Sequence, residues 1–152
     1  MMSEHHACVR WTRSSSDFRY ESYNRAHDVS FKNGTVIVAG SAAPAFRGDA
    51  DRIDPEEAFV ASLSACHMLS FLAICARKRL TVDSYADDAV GFLEKSASGK
   101  LWVSRVELRP RVGFAPGTSP NPDALAQIHR LAHEECFIAN SVKTDVSVTP
   151  QS

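Results

Sequence analysis

Two cysteines and a few charged residues carry the chemical possibilities of this sequence. Cys66 sits inside an apolar run, Asp54-Pro-Glu-Glu-Ala-Phe-Val-Ala-Ser-Leu-Ser-Ala-Cys66-His-Met-Leu-Ser-Phe-Leu-Ala-Ile-Cys75-Ala-Arg77, and Cys136 follows much later in Ala132-His-Glu-Glu-Cys136-Phe-Ile-Ala-Asn-Ser-Val-Lys143. A cysteine among alanines and leucines of a buried helix is as a rule a small apolar filler. Two cysteines on two helices can also meet in space, which opens thiol redox chemistry. His129, His133 and Cys136 recur at i, i+4 and i+7, a spacing able to gather three metal ligands. A helix surface explains that spacing equally well, and no fourth ligand stands out. Cys75 falls on the opposite side of the helix from Cys66 and reads as core packing. Cys8 has no evident partner, and His67 either tunes Cys66 or fills space.

The elements that must position these residues are marked in the chain. Asp54 suits a helix cap, Pro55 the first helical position, and Glu56 and Glu57 the positive end of the helix dipole. Arg77, Lys78 and Arg79 meet the negative end. Between them Phe59, Val60, Leu63, Met68, Leu69, Phe71, Leu72 and Ile74 leave little polar face, which predicts a helix buried nearly all round. At roughly 25 residues it would run about 37 Å, too long for the core of one small domain, so a partner surface is expected.

Upstream, Cys8-Val-Arg-Trp-Thr reads as a strand, and Tyr20 to Tyr23 as a continuation or partner of it. His27–Phe31 and Thr35–Ala39 flank Asn33-Gly34 as a hairpin. Downstream, Ser84–Lys95 and Leu101–Val112 predict one long hairpin about Ser96–Lys100, with an imperfect apolar alternation in its second arm. Ala115–Pro122 is turn-rich, a second helix runs from Asp123 to about Glu135, and Lys143–Thr149 closes the chain as a strand. Strands, long helix, hairpin, helix and strand in that order predict an α+β domain with its helices on one side of antiparallel sheets.

With 152 residues, 44% of them apolar, one domain over 1–152 is expected. A net charge of −1 argues against a nucleic-acid surface. Serines and His67 interrupt the apolar run and charges flank it, so no membrane span is expected. Met1-Met-Ser-Glu-His-His-Ala has no basic leader or apolar signal region. Four irregularly spaced cysteines suggest reduced thiols and a cytoplasmic setting.

Three segments together resemble the OsmC/Ohr family, the osmotically induced and organic-hydroperoxide-resistance proteins. They are Arg25-Ala-His27, then Ser41-Ala-Ala-Pro through Gly48-Asp49 to Asp54-Pro-Glu56-Glu and Ala-Cys66-His, and finally Cys136-Phe-Ile-Ala-Asn-Ser-Val-Lys143. The sequence departs from the family pattern in Asp54-Pro for the commoner Asn-Pro, in His67, and in Phe-Ile-Ala after Cys136. The resemblance implies an OsmC-like fold in an intertwined homodimer, with the long helices of two subunits packed together and thiol sites at their interface. It also implies thiol-dependent reduction of organic hydroperoxides in oxidative or osmotic stress defence. Cys66 then matches the peroxidatic cysteine, Cys136 the resolving one and Glu56 the carboxylate before the first cysteine. Arg25 matches the arginine of the N-terminal region, with Arg10, Arg19 and Arg47 competing for that place.

Such chemistry needs a thiolate, and a free cysteine with a pKa of about 8.5 is mostly protonated at neutral pH. A guanidinium near Cys66 would stabilise the anion, and Glu56 is expected to orient Arg25 through a bidentate pair. An apolar wall of Phe59, Met68, Leu69 and Phe137 is expected to favour organic peroxides. An external dithiol of lipoyl type, or small thiols, would reopen the disulfide, and no cofactor is implied. The alternative is a non-catalytic OsmC-like dimer that binds a metal or a small hydrophobic ligand.

Overall fold

Asp54 and Glu57 start the long helix by capping each other. The Glu57 amide donates to the Asp54 carboxylate at 2.8 Å, and the Asp54 amide donates back to the Glu57 carboxylate at 3.0 Å. The helix, α1, covers Pro55–Arg77. Arg79 ends it in a left-handed conformation (φ 59), so that the Leu80 amide reaches the Cys75 carbonyl and the Arg79 amide the Ala76 carbonyl, both at 3.0 Å. This is a Schellman closure with arginine where glycine is usual. The computed structural model describes residues 2–151, in two compact units, Met1–Ala58 and Phe59–Ser152.

The first unit holds an antiparallel sheet of β1 (Cys8–Arg10), β2 (His27–Phe31) and β3 (Val36–Gly40). The β2–β3 hairpin forms as the Asn-Gly pair predicts, and Asn33 (φ 55) and Gly34 (φ 88) both take the positive φ that the turn requires. Thr35 belongs to its loop, since Phe31 pairs with Val36. Tyr20 to Tyr23 form a turn instead of a strand, with the Ser22 and Tyr23 amides on the Arg19 carbonyl at 3.1 and 3.0 Å. Asp17 explains the difference: its carboxylate accepts from the Ser22 hydroxyl and the Arg19 guanidinium, and these local bonds compete with a ladder.

In the second unit β4 (Val82–Asp87) pairs with β7 (Pro110–Phe114), while β5 (Val90–Lys95), β6 (Leu101–Leu108) and β8 (Asp145–Val148) form another sheet. The long hairpin is therefore correct at its tip, β5–β6, and broken at its base. The break has a side-chain cause, because Asp87 accepts the Arg109 amide at 2.6 Å and takes that donor out of the ladder. β8 joins β6 in parallel and the remaining pairs are antiparallel. The second helix, α2 (Pro122–Glu134), is capped by the Asn121 side chain accepting the Ala124 amide at 2.8 Å.

Two apolar clusters rest on α1. Phe71, Ile74 and Cys75 meet Ile128 and Ala132 of α2, and Leu63 meets Val106 and Leu108 of β6. Gly91 lets β5 pass close to the helix, since a Cβ there would lie 2.5 Å from Val60. Burial along α1 is confined to Leu63, His67, Phe71, Ile74 and Cys75. The expected all-round burial is thus not met within one chain: Ala61, Ala65, Ala73 and Ala76 are exposed and Leu69 is 62% exposed. Small residues keep that opposite face smooth. By length and hydropathy alone α1 also has the composition of a membrane span, but its buried stripe packs in the core of the second unit.

Candidate active site

Cys66 lies mid-way along α1, half-buried beside the stripe that Leu63 and His67 anchor. Cys136 comes just after the last turn of α2, where its amide donates to the His133 carbonyl at 3.2 Å, and it is only 1% exposed. The fold brings Cys136 close enough to Cys66 for the one thiol to act on the other. Burial pushes the Cys136 thiol up to about 11, and the neighbouring Cys66 thiol adds to this, against backbone amides of Ala139 and Ile138 that pull it back. The Ala139 amide donates to the Cys136 sulfur at 3.4 Å. At neutral pH Cys136 therefore keeps its proton. Two thiols this close, one accessible and one buried, are placed to exchange electrons as a disulfide.

Arg25 and Glu56 belong to the first unit, where both line a cavity of about 560 Å3 walled by Trp11, Phe18, Tyr23 and Phe46. The expected bidentate pair is not formed. Instead the Arg25 guanidinium donates to the Tyr23 and Tyr20 carbonyls, each at 2.7 Å, and lies 4.0 Å from the Tyr23 ring centre. These carbonyl acceptors hold the plane of the guanidinium, and Glu56 lines the same cavity without pairing to it. Of the competing arginines, Arg19 is paired with Asp17 at 2.7 Å and Arg10 reaches Ser30 at 3.5 Å. None of Arg10, Arg19 and Arg47 lines the cavity, so Arg25 alone of the four candidates shares it with Glu56.

The aromatic wall was missed by sequence reasoning, although the density of Trp11, Phe18, Tyr20 and Tyr23 in one short stretch was a signal for it. Of the residues expected to form an apolar wall, Phe137 is 82% exposed and joins Leu69 along a shallow groove of the second unit. Phe59 packs with the Leu63 cluster instead. His67 is buried and meets His129, the Nε2 and Nδ1 atoms being 3.1 Å apart. His129, His133 and Cys136 form no three-ligand group among the described residues, His129 turning to His67. Cys75 packs in the α1–α2 cluster as expected, and Cys8 is exposed on β1.

An α+β chain built on one capped apolar helix, with a thiol mid-helix and a second thiol beyond the following helix, defines a recognisable class. A family model described as OsmC-like protein matches residues 48–151. An OsmC-like protein of unknown function from Vibrio cholerae O1 biovar eltor is 46% identical, with a TM-score of 0.93 over 99% of this chain and 100% of that one. The chain belongs to the OsmC-like protein family. At the level of fold it is also similar to the organic hydroperoxide resistance protein OsmC of Legionella pneumophila, 14% identical with a TM-score of 0.74 over 99% of this chain and 100% of that one. The organic hydroperoxide resistance protein OhrB of Bacillus subtilis is 16% identical, with a TM-score of 0.71 over 98% of both chains. None of the curated proteins matches the sequence.

Proposed function

We propose that this OsmC-like chain is a cysteine-based peroxidase that reduces organic hydroperoxides in oxidative or osmotic stress defence, with Cys66 as peroxidatic and Cys136 as resolving cysteine. The observation that carries this reading is the nearness of the two thiols, close enough for Cys66 to act on Cys136. The Cys66 thiolate attacks the terminal peroxide oxygen, the O–O bond breaks, and the products are a Cys66 sulfenic acid and an alcohol. The Cys136 sulfur then displaces water from the sulfenic acid to form the Cys66–Cys136 disulfide. An external dithiol, of lipoyl type or a pair of small thiols, returns two electrons and two protons. The Arg25 guanidinium supplies positive charge for the thiolate and the departing oxygen, and Glu56 orients substrate or arginine.

The working form is a homodimer in the reducing cytoplasm. The smooth exposed face of Ala61, Ala65, Leu69, Ala73 and Ala76 supports close packing of two α1 helices. Helical rise supports it too: Glu56 and Cys66 are about 15 Å apart along α1, so a centre holding both draws its carboxylate from the second copy. A second reading, a binding protein for a small hydrophobic ligand, is favoured by the aromatic cavity of the first unit.

Peptide mapping of the reduced protein after one equivalent of cumene hydroperoxide separates the two. A Cys66–Cys136 disulfide formed faster than with hydrogen peroxide is expected. Cys66→Ser abolishes turnover, while Cys136→Ser permits one attack and then stalls as a sulfenic acid or mixed disulfide. An unmodified Cys66 in the wild type would overturn the peroxidase and leave the ligand-binding reading.

A further inference from the structure

The buried histidine pair has no part in the chemistry above, yet it borders that chemistry on both helices. His67 follows Cys66 on α1, and His129 stands on α2 upstream of Cys136. Their rings are nearly parallel, at 4°, and His129 also stacks on Phe71 with ring centres 4.4 Å apart. His67 is 1% and His129 4% exposed. Among the described residues this is the buried side-chain hydrogen bond between α1 and α2. The other cross-helix pair, Arg77 with Glu135 at 2.9 Å, is exposed and adds little. The remaining contact is apolar, Phe71, Ile74 and Cys75 against Ile128 and Ala132.

Apolar surfaces accept small slides, since their attraction is non-directional. A bond between two ring nitrogens that share one proton does not, because it weakens steeply with distance and angle. The other nitrogens of the pair, His67 Nδ1 and His129 Nε2, are already buried and unbonded, as is His133 Nδ1. Any other register would strand two further ring nitrogens.

We propose that the His67–His129 hydrogen bond is a positioning device that fixes α1 against α2 and thereby holds the Cys66 and Cys136 thiols within bonding reach. This rests on the two-thiol reading given above. One imidazole donates and the other accepts, an arrangement open to two neutral rings. Burial holds each at about 4, helped for His67 by the neighbouring His129 and His133, and opposed for His129 by Asp87.

The test is the thiol–disulfide equilibrium of the full chain against dithiothreitol. Cys66 and Cys136 give two electrons and two protons to the oxidised reagent, and an S–S bond forms in the protein as the reagent's opens. His129→Leu and the double variant His67→Leu/His129→Leu are expected to lower the disulfide equilibrium constant about tenfold, or about 30 mV. The double variant is expected to do so while melting no lower than wild type, because both polar partners leave together. His129→Gln, which still presents a polar atom to His67, is expected to stay within about threefold. Leucine variants with the wild-type constant would overturn the proposal, and so would a glutamine variant that falls as far as leucine. If the double variant does not fold, the contrast between His129→Leu and His129→Gln decides. A wild type that forms no Cys66–Cys136 disulfide removes the peroxidase reading and this inference together. A wild type that forms it, matched by the leucine variants, removes only this inference.

Discussion

Imidazoles held neutral in an apolar contact tie stability to pH with a definite sign. The folded values of His67 and His129 lie at about 4, below the ordinary 6.5. The unfolded chain therefore takes up protons first as pH falls. Their contribution is complete above the unfolded value and is lost between pH 6.5 and 4. The first proton alone is worth on the order of 3 kcal/mol. Denaturant titrations from pH 7 to pH 4 are expected to show this loss, and His67→Leu/His129→Leu to flatten it; an unchanged acid limb would assign the loss to other groups. The residues of the site were legible in the sequence to different depths. Cys66 and Cys136 stood out by type and setting. The partner of His67 did not, because it lies on another helix, and spacing along a chain says nothing about contacts between helices. The brace on Arg25 was hidden for a different reason: its acceptors are main-chain carbonyls, which every residue carries.

Among the elements, α1 was the most legible, since Asp54, Pro55, Glu57 and the terminal basic residues each have a local physical role. Its C-terminal closure was less so, because arginine rarely takes the left-handed position. Arg79 at φ 59 carries strain that glycine would not. Arg79→Gly is expected to raise stability by about 0.5–1 kcal/mol in urea, offset in part by glycine's freedom in the unfolded chain. A loss of stability there would mean that the Arg79 side chain matters more than its backbone. The broken hairpin shows where periodicity runs out. Alternation located both arms, but one carboxylate, Asp87, bonds the Arg109 amide and also the Ser64 hydroxyl on α1, and decides where one sheet ends and the next begins.

At the scale of the molecule, the apolar excess of α1 was visible in the sequence, and so was the expectation of a partner surface to cover it. One chain buries only a stripe of it, and Leu69 stands out on the uncovered side. Leu69→Glu is expected to shift the proposed dimer to monomer in sedimentation velocity, and to slow turnover with organic hydroperoxides if Glu56 serves across the interface. A variant that stays dimeric would place the interface elsewhere. The nearness of the two thiols has one more consequence, and it concerns the unfolded chain. A bond between Cys66 and Cys136 would close a loop of about seventy residues, which by chain entropy is worth on the order of 4 kcal/mol. A molecule that has met its oxidant would then resist heat and denaturant better than one still waiting. Each turnover would be written for a time into mechanical toughness, and erased by the reductant.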